Sequence, residues 1–142
     1  MHHFRSVNFL VVQDDPVDQL LMREDLATHK VVNRVYTAPD ARTALAYLDG
    51  VPPYGGVGTP DVVLLDPHLP RDGGDVVLER LRTDAATVHV PVILLVDSPA
   101  AEQIVRSRGL PVQGYAQKPV DFAALAGVVR SVVGLGFAVH RR

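Results

Sequence analysis

Three charged side chains stand at or just beyond the ends of short, largely apolar runs, and their types define what the sequence could do. Asp66 closes the run Val62–Leu65 between Pro60 and Pro67. Asp14 follows Val7–Val12 (VNFLVV) after one amide, Gln13, and Lys118 follows Val112–Gln117 (VQGYAQ) ahead of Pro119. Asp66 alone is ambiguous, because an aspartate before a proline commonly opens and caps a turn. Two carboxylates and an ammonium gathered in one place would be different. Hard carboxylate oxygens suit Mg²⁺, which keeps several waters and takes one or two carboxylates. A lysine adds a point cation on a flexible stem, able to reach a carboxylate or phosphoryl oxygen. An aspartate held between a divalent cation and a lysine is an activated phosphoryl acceptor, since that transfer depends on positioning and charge neutralisation.

Residues so far apart in sequence meet only if the strands ahead of them end at one rim of one sheet. Val7–Val12, Val62–Leu65 and Val90–Val96 (VPVILLV) are near-continuous apolar runs, as expected of strands covered on both faces in a parallel sheet. Val31–Thr37 (VVNRVYT) is a less apolar strand that belongs nearer the sheet edge, and Val112–Gln117 is the fifth strand. Helical patterns alternate with them. Asp15 and Pro16 stand as N-cap and first residue of a helix that runs to His29 on Val17, Leu20, Leu21 and Leu26. Pro39 and Asp40 open a second helix, through Ala41, Ala44, Leu45 and Leu48, which Gly50 stops. Val76, Val77, Leu78 and Leu81 mark a third, ending near Arg82. Pro99–Arg108 is a short fourth with a thin apolar face, and Asp121–Val133 is the last.

The loop Val51–Pro60 (VPPYGGVGTP) has a glycine cluster that matches neither the dinucleotide nor the P-loop spacing, and it precedes a strand instead of following one. Five β-α units with right-handed crossovers imply an α/β fold, a doubly wound (βα)5 parallel sheet of flavodoxin-like order 2-1-3-4-5. Its switch point, between the first and third strands, would put Asp14 beside Asp66 in one cleft.

The chain has 142 residues, 47% of them apolar and 21% charged, which fits one globular domain, residues 1–142, with its core at about 7–133 and a tail at 134–142. A formal charge of -2 leaves no electrostatic footprint for nucleic acid. There is no cysteine, hence no thiolate chemistry, and no apolar run long enough for a membrane span. With no signal-peptide layout at its amino end, the chain is expected to be cytoplasmic.

Taken together, VVQDDPVD, VVLLDPHLPRDGG, PVILLV and GYAQKPVD resemble, in order and spacing, the receiver domain of two-component response regulators. The resemblance runs from about Val7 to Val133. It implies that Asp66 accepts a phosphoryl group, that Asp14, Asp66 and the backbone carbonyl of His68 hold Mg²⁺, and that Lys118 contacts the phosphoryl oxygens. LPRDGGDVVLERLRTD and the length of the chain look most like the stand-alone regulators that partner phytochrome-type histidine kinases. The donor would be such a kinase or a phosphotransfer protein. The family's dimer face, together with the apolar Leu135, Phe137 and Val139, suggests a homodimer, the other reading of these three being that they fold back on the domain's own core.

Three positions depart from the family. Its acidic pair falls on Gln13 and Asp14, so one carboxylate is an amide. Its phosphoryl-sensing hydroxyl residue falls on Val96, although Ser98, two residues on, could be brought in by a shifted strand end or could simply cap the next helix. His68 replaces a small polar residue, facing either the phosphoryl site or solvent. Tyr115 matches the family's aromatic switch, without the hydroxyl that would pull it inward, and plain packing is its other reading. The leading expectation is a non-enzymatic, single-domain response regulator acting in a phosphorelay. The alternative is a pseudo-receiver that binds partners without phosphorylation. An aspartate-nucleophile phosphatase would want a second acid where His68 stands.

Overall fold

The structure is a computed structural model that describes residues 7–15 and 33–118. Its strands are β1 (Val7–Val12), β2 (Asn33–Ala38), β3 (Val62–Leu65), β4 (Val92–Val96) and β5 (Gly114–Gln117), and its helices are α1 (Ala41–Leu48), α2 (Gly73–Thr83) and α3 (Pro99–Arg106). The five strands form one parallel sheet in the order β2-β1-β3-β4-β5, as the alternation of apolar runs and helical patterns requires. The expected helices over 16–29 and 121–133, the Asp15 cap and the tail lie outside the described residues.

Alternation along the strands sends side chains to opposite faces. Leu10, Val12, Val63, Leu65, Val92, Leu94 and Val96 join Ala44 and Tyr47 of α1, Val77, Leu78 and Leu81 of α2, and Val105 of α3 in one cluster. The alternate residues Phe9, Val11, Val62, Leu64, Ile93 and Leu95 are buried as completely. Burial on both faces is why these runs carry no polar alternation.

Element ends differ from the sequence expectation for local reasons. β4 starts at Val92 because Pro91 has no N–H for the ladder and Val90 closes a turn on Thr87; Pro91 still accepts from Val63 N through its carbonyl. Val112 likewise closes a tight turn on Leu110, so β5 starts at Gly114. α3 stops at Arg106, ahead of Gly109 at φ 63°. α2 begins earlier than its apolar pattern, at Gly73, behind a short 3-10 turn, Pro70–Asp72. The glycine-bearing loop after α1 is packed through Tyr54, whose ring lies 5.6 Å from Tyr47, itself 5.1 Å from Tyr36. Burial pushes the Tyr47 phenol up to about 12.

Candidate functional site

β1 and β3 are neighbours, and Asp66 N donates to Val12 O at 2.9 Å, so the two strands end together. Asp66 sits there with 7% exposure, and both its oxygens are engaged. Oδ1 accepts from His68 N at 2.8 Å, and Oδ2 lies 3.1 Å from Lys118 Nζ. Asp66 therefore caps its own turn and at the same time faces a partly buried cation. Lys118 is placed by its main chain, which donates to Val96 O at 2.7 Å and sets the end of β5 level with β4. Burial by itself would lower the Lys118 pKa, but the carboxylates of Asp66 and Asp97 outweigh it and hold the ammonium above its ordinary value.

Asp14 is exposed at the turn after β1, while Gln13 before it is fully buried, its N–H donating to Ala38 O at 3.0 Å. Among the described residues no group of three or more His, Cys, Asp or Glu side chains is gathered. A cation at this rim would meet one or two carboxylates, main-chain oxygen and water. That set is hard and sparse, suited to Mg²⁺ and unsuited to zinc.

A buried aspartate at a strand end, ion-paired with a lysine from two strands away, is the arrangement a phosphoryl acceptor needs. The family model of the response regulator receiver domain matches residues 9–130. The chain belongs to that family. Response regulator Rcp1 of Synechocystis sp. is 27% identical over 123 residues, 87% of this chain and 84% of its own. Its solved Mn²⁺-bound form superposes with a TM-score of 0.70 at 24% identity, covering 92% of this chain and 98% of that one. The bacteriophytochrome response regulator AtBRR is 32% identical with a TM-score of 0.83, over 94% of this chain and 96% of that one. The phosphorylated cyanobacterial phytochrome response regulator RcpA is 28% identical with a TM-score of 0.75, over 94% and 99%.

In this receiver the remaining sequence-predicted residues take distinct places. Val96 is buried at 1% exposure in the core cluster and offers the site only its main-chain oxygen. Ser98 is the N-cap of α3, and its Oγ accepts from Ala101 N at 3.0 Å, satisfying a helix-end donor. That is the capping reading of the two the sequence offers. His68 is exposed. Tyr115 is half-buried against the core cluster, with the Arg106 guanidinium 4.2 Å from its ring centroid. Arg106 is in turn held by Glu102 at 2.7 Å, and Glu102 Oε1 accepts from Gln117 Nε2 at 3.2 Å.

Sequence reasoning missed Asp97, whose Oδ1 lies 3.5 Å from Lys118 Nζ. The signal was available. Asp97 closes the apolar run Val92–Val96 in the same way that Asp66 closes Val62–Leu65. The Arg106–Tyr115 contact had no comparable signal, because it joins a helix face to a strand across the fold.

Proposed function

We propose that this receiver acts as a stand-alone, cytoplasmic response regulator, taking a phosphoryl group on Asp66 from a histidine kinase of phytochrome type or from a phosphotransfer protein. The single observation that carries the reading is the contact of Lys118 Nζ with Asp66 Oδ2, 3.1 Å apart at a carboxylate of 7% exposure. In the transfer the phosphorus–nitrogen bond of a donor phosphohistidine breaks and a bond from phosphorus to an Asp66 oxygen forms. Lys118 offsets the charge gathering on the phosphoryl oxygens. Asp14, Asp66 and the His68 carbonyl would hold Mg²⁺, which would supply further neutralisation. The chain is the acceptor and not an enzyme acting on a separate substrate. It passes the signal by altered association, homodimerisation included. Its similarity to Rcp1, AtBRR and RcpA along nearly their whole lengths supports reading it in their role.

A second reading, binding without phosphorylation, is favoured by the buried amide of Gln13 and the buried aliphatic side chain of Val96, which stand where the resemblance expects an acid and a hydroxyl. One experiment separates the two. The protein is incubated with acetyl phosphate and Mg²⁺, and its intact mass is measured. A single phosphoryl increment, lost in Asp66→Asn, is expected. An unmodified wild type at saturating donor and metal would establish the second reading instead.

A further inference from the structure

Lys118 serves two carboxylates. Its Nζ lies 3.1 Å from Asp66 Oδ2 and 3.5 Å from Asp97 Oδ1. The two acids differ in setting: the Asp66 side chain is 9% exposed, that of Asp97 is 72% exposed, and the lysine between them is 16% exposed. Asp97 lies directly after β4, and its neighbour Val96 pairs with Gln117 in β5, so the end of the sheet holds Asp97 next to Lys118. Among the described residues the Asp97 carboxylate caps neither a turn nor a helix, whereas Ser98 beside it caps α3. Asp97 thus has a neighbour with a function and no visible structural duty.

We infer that Asp97 is a positioning residue that restrains phosphorylation, by drawing on the Lys118 charge and placing a negative charge beside the incoming phosphoryl group. The inference rests on Asp66 being the acceptor, and adds to that reading a residue that sets the rate and lifetime of the modification. An anionic donor and the phosphoryl group it delivers both gain from the Lys118 ammonium. Asp97 competes for that ammonium, and its own charge repels both. Hydrolysis returns the site to its starting state. Water attacks phosphorus, the bond from phosphorus to the Asp66 oxygen breaks, the carboxylate is restored, and the water's protons leave on inorganic phosphate. The same ammonium offsets the charge that gathers on the phosphoryl oxygens as that bond breaks, so a less available lysine slows hydrolysis as it slows transfer.

The test compares wild type, Asp97→Asn and Asp97→Glu. Each is labelled with acetyl phosphate and Mg²⁺, then freed of donor, with intact mass followed through both phases at low and at high sodium chloride. Asp97→Asn should label about two- to fivefold faster and lose the phosphoryl group faster by a similar factor. Asp97→Glu should stay near wild type. Because Asp97 is exposed, the gap between Asn and wild type should narrow at high salt, which a merely structural role would not produce. Equal rates and lifetimes for wild type and Asn at both salt concentrations would overturn the inference and leave Asp66 as acceptor. Slower labelling of Asn would overturn it too, since Asp97 would then be assisting the site. A wild type that never takes the phosphoryl group would instead overturn the functional reading itself.

Discussion

At the scale of single residues, Val96 would set, on the proposed function, how far phosphorylation of Asp66 can be felt elsewhere. It is buried at the end of β4, one residue before the carboxylate that shares Lys118, and it carries only methyl groups. A phosphoryl oxygen arriving on Asp66 finds the lysine but gains no hydrogen bond from Val96, so nothing in that side chain ties β4 to the modified state. Threonine has nearly the same shape with one hydroxyl. Buried without a partner, that hydroxyl costs about 1–2 kcal/mol, and exchanging a core valine for threonine is unfavourable for this reason. Val96→Thr should therefore lower the stability of the unmodified protein by about 1–2 kcal/mol and recover part of the loss on phosphorylation, when the hydroxyl finds an acceptor. Denaturation midpoints with and without acetyl phosphate, paired with sedimentation velocity, read the effect. A midpoint difference between wild type and the Val96→Thr variant that is the same in both states would show that the hydroxyl does not reach the phosphoryl group. Tyr115 is meanwhile held by Arg106, itself paired with Glu102, a restraint independent of any hydroxyl at position 96.

At the scale of elements, the segment that follows Asp66 is wound tightly enough to fix the site. Arg71 and Asp72 both adopt left-handed backbone, at φ 57° and 55°, a conformation costing L-residues roughly 1 kcal/mol or more each. The first turn of α2 then packs directly on the loop. A Cβ on Gly74 would stand 2.8 Å from Pro67 O and 3.0 Å from Pro67 C and Cα, all of it backbone that cannot swing aside. In an open helix Gly→Ala is stabilising by up to about 1 kcal/mol. Here the sign should reverse: Gly74→Ala should destabilise by about 1–3 kcal/mol and slow labelling of Asp66, because Pro67 is displaced next to the acceptor. Urea unfolding and the mass-shift rate measure the two effects, and a stabilised variant would show that the close approach is relieved at no cost. The same glycines explain where the sequence was hard to read. Gly73 and Gly74 look like a break, so apolar periodicity places the helix at Val76, whereas the need for them is steric and comes from a loop several residues earlier. The strand cores were legible because burial on both faces leaves an unmistakable apolar run. Their starts were not, since Pro91 and the turn at Val112 interrupt the ladder but not the hydrophobicity. Asp66 and Lys118 could be read for a related reason, as charges that end such runs. Whether Ser98 faced the site or capped a helix depended on a strand end that periodicity does not locate.

At the scale of the whole molecule, the two rims of the sheet are used differently. The rim where the strands end carries Asp14, Asp66, Asp97 and Lys118, the charged groups on which the proposed chemistry would draw. The opposite rim is stapled. Asn8 N donates to Asp61 Oδ2 at 2.8 Å and Asp61 N to Asn8 O at 2.8 Å, which locks the start of β1 to the start of β3. Arg82, near the end of α2, is the larger staple: it donates to Val88 O at 3.2 Å and Val90 O at 2.8 Å ahead of β4, and to Pro111 O at 2.9 Å and Gln113 Oε1 at 2.7 Å ahead of β5. Gln113 Oε1 also accepts from Val92 N at 2.8 Å, joining the two strand entries through one side chain. Partial burial lowers the Arg82 pKa, yet an arginine stays charged throughout the range in which the protein is folded. Its hydrogen bonds are charge-assisted, but three of the four are at exposed positions, so their joint loss should cost about 1–3 kcal/mol, well short of their sum. Arg82→Met keeps the apolar stem and removes the guanidinium, and it should lower the urea midpoint by that amount. If the division between rims is real, labelling of Asp66 at a temperature where the variant remains folded should be unchanged, because no staple reaches Lys118. A variant that keeps its stability but labels more slowly would instead couple the two rims, and would make Arg82 part of the signalling path.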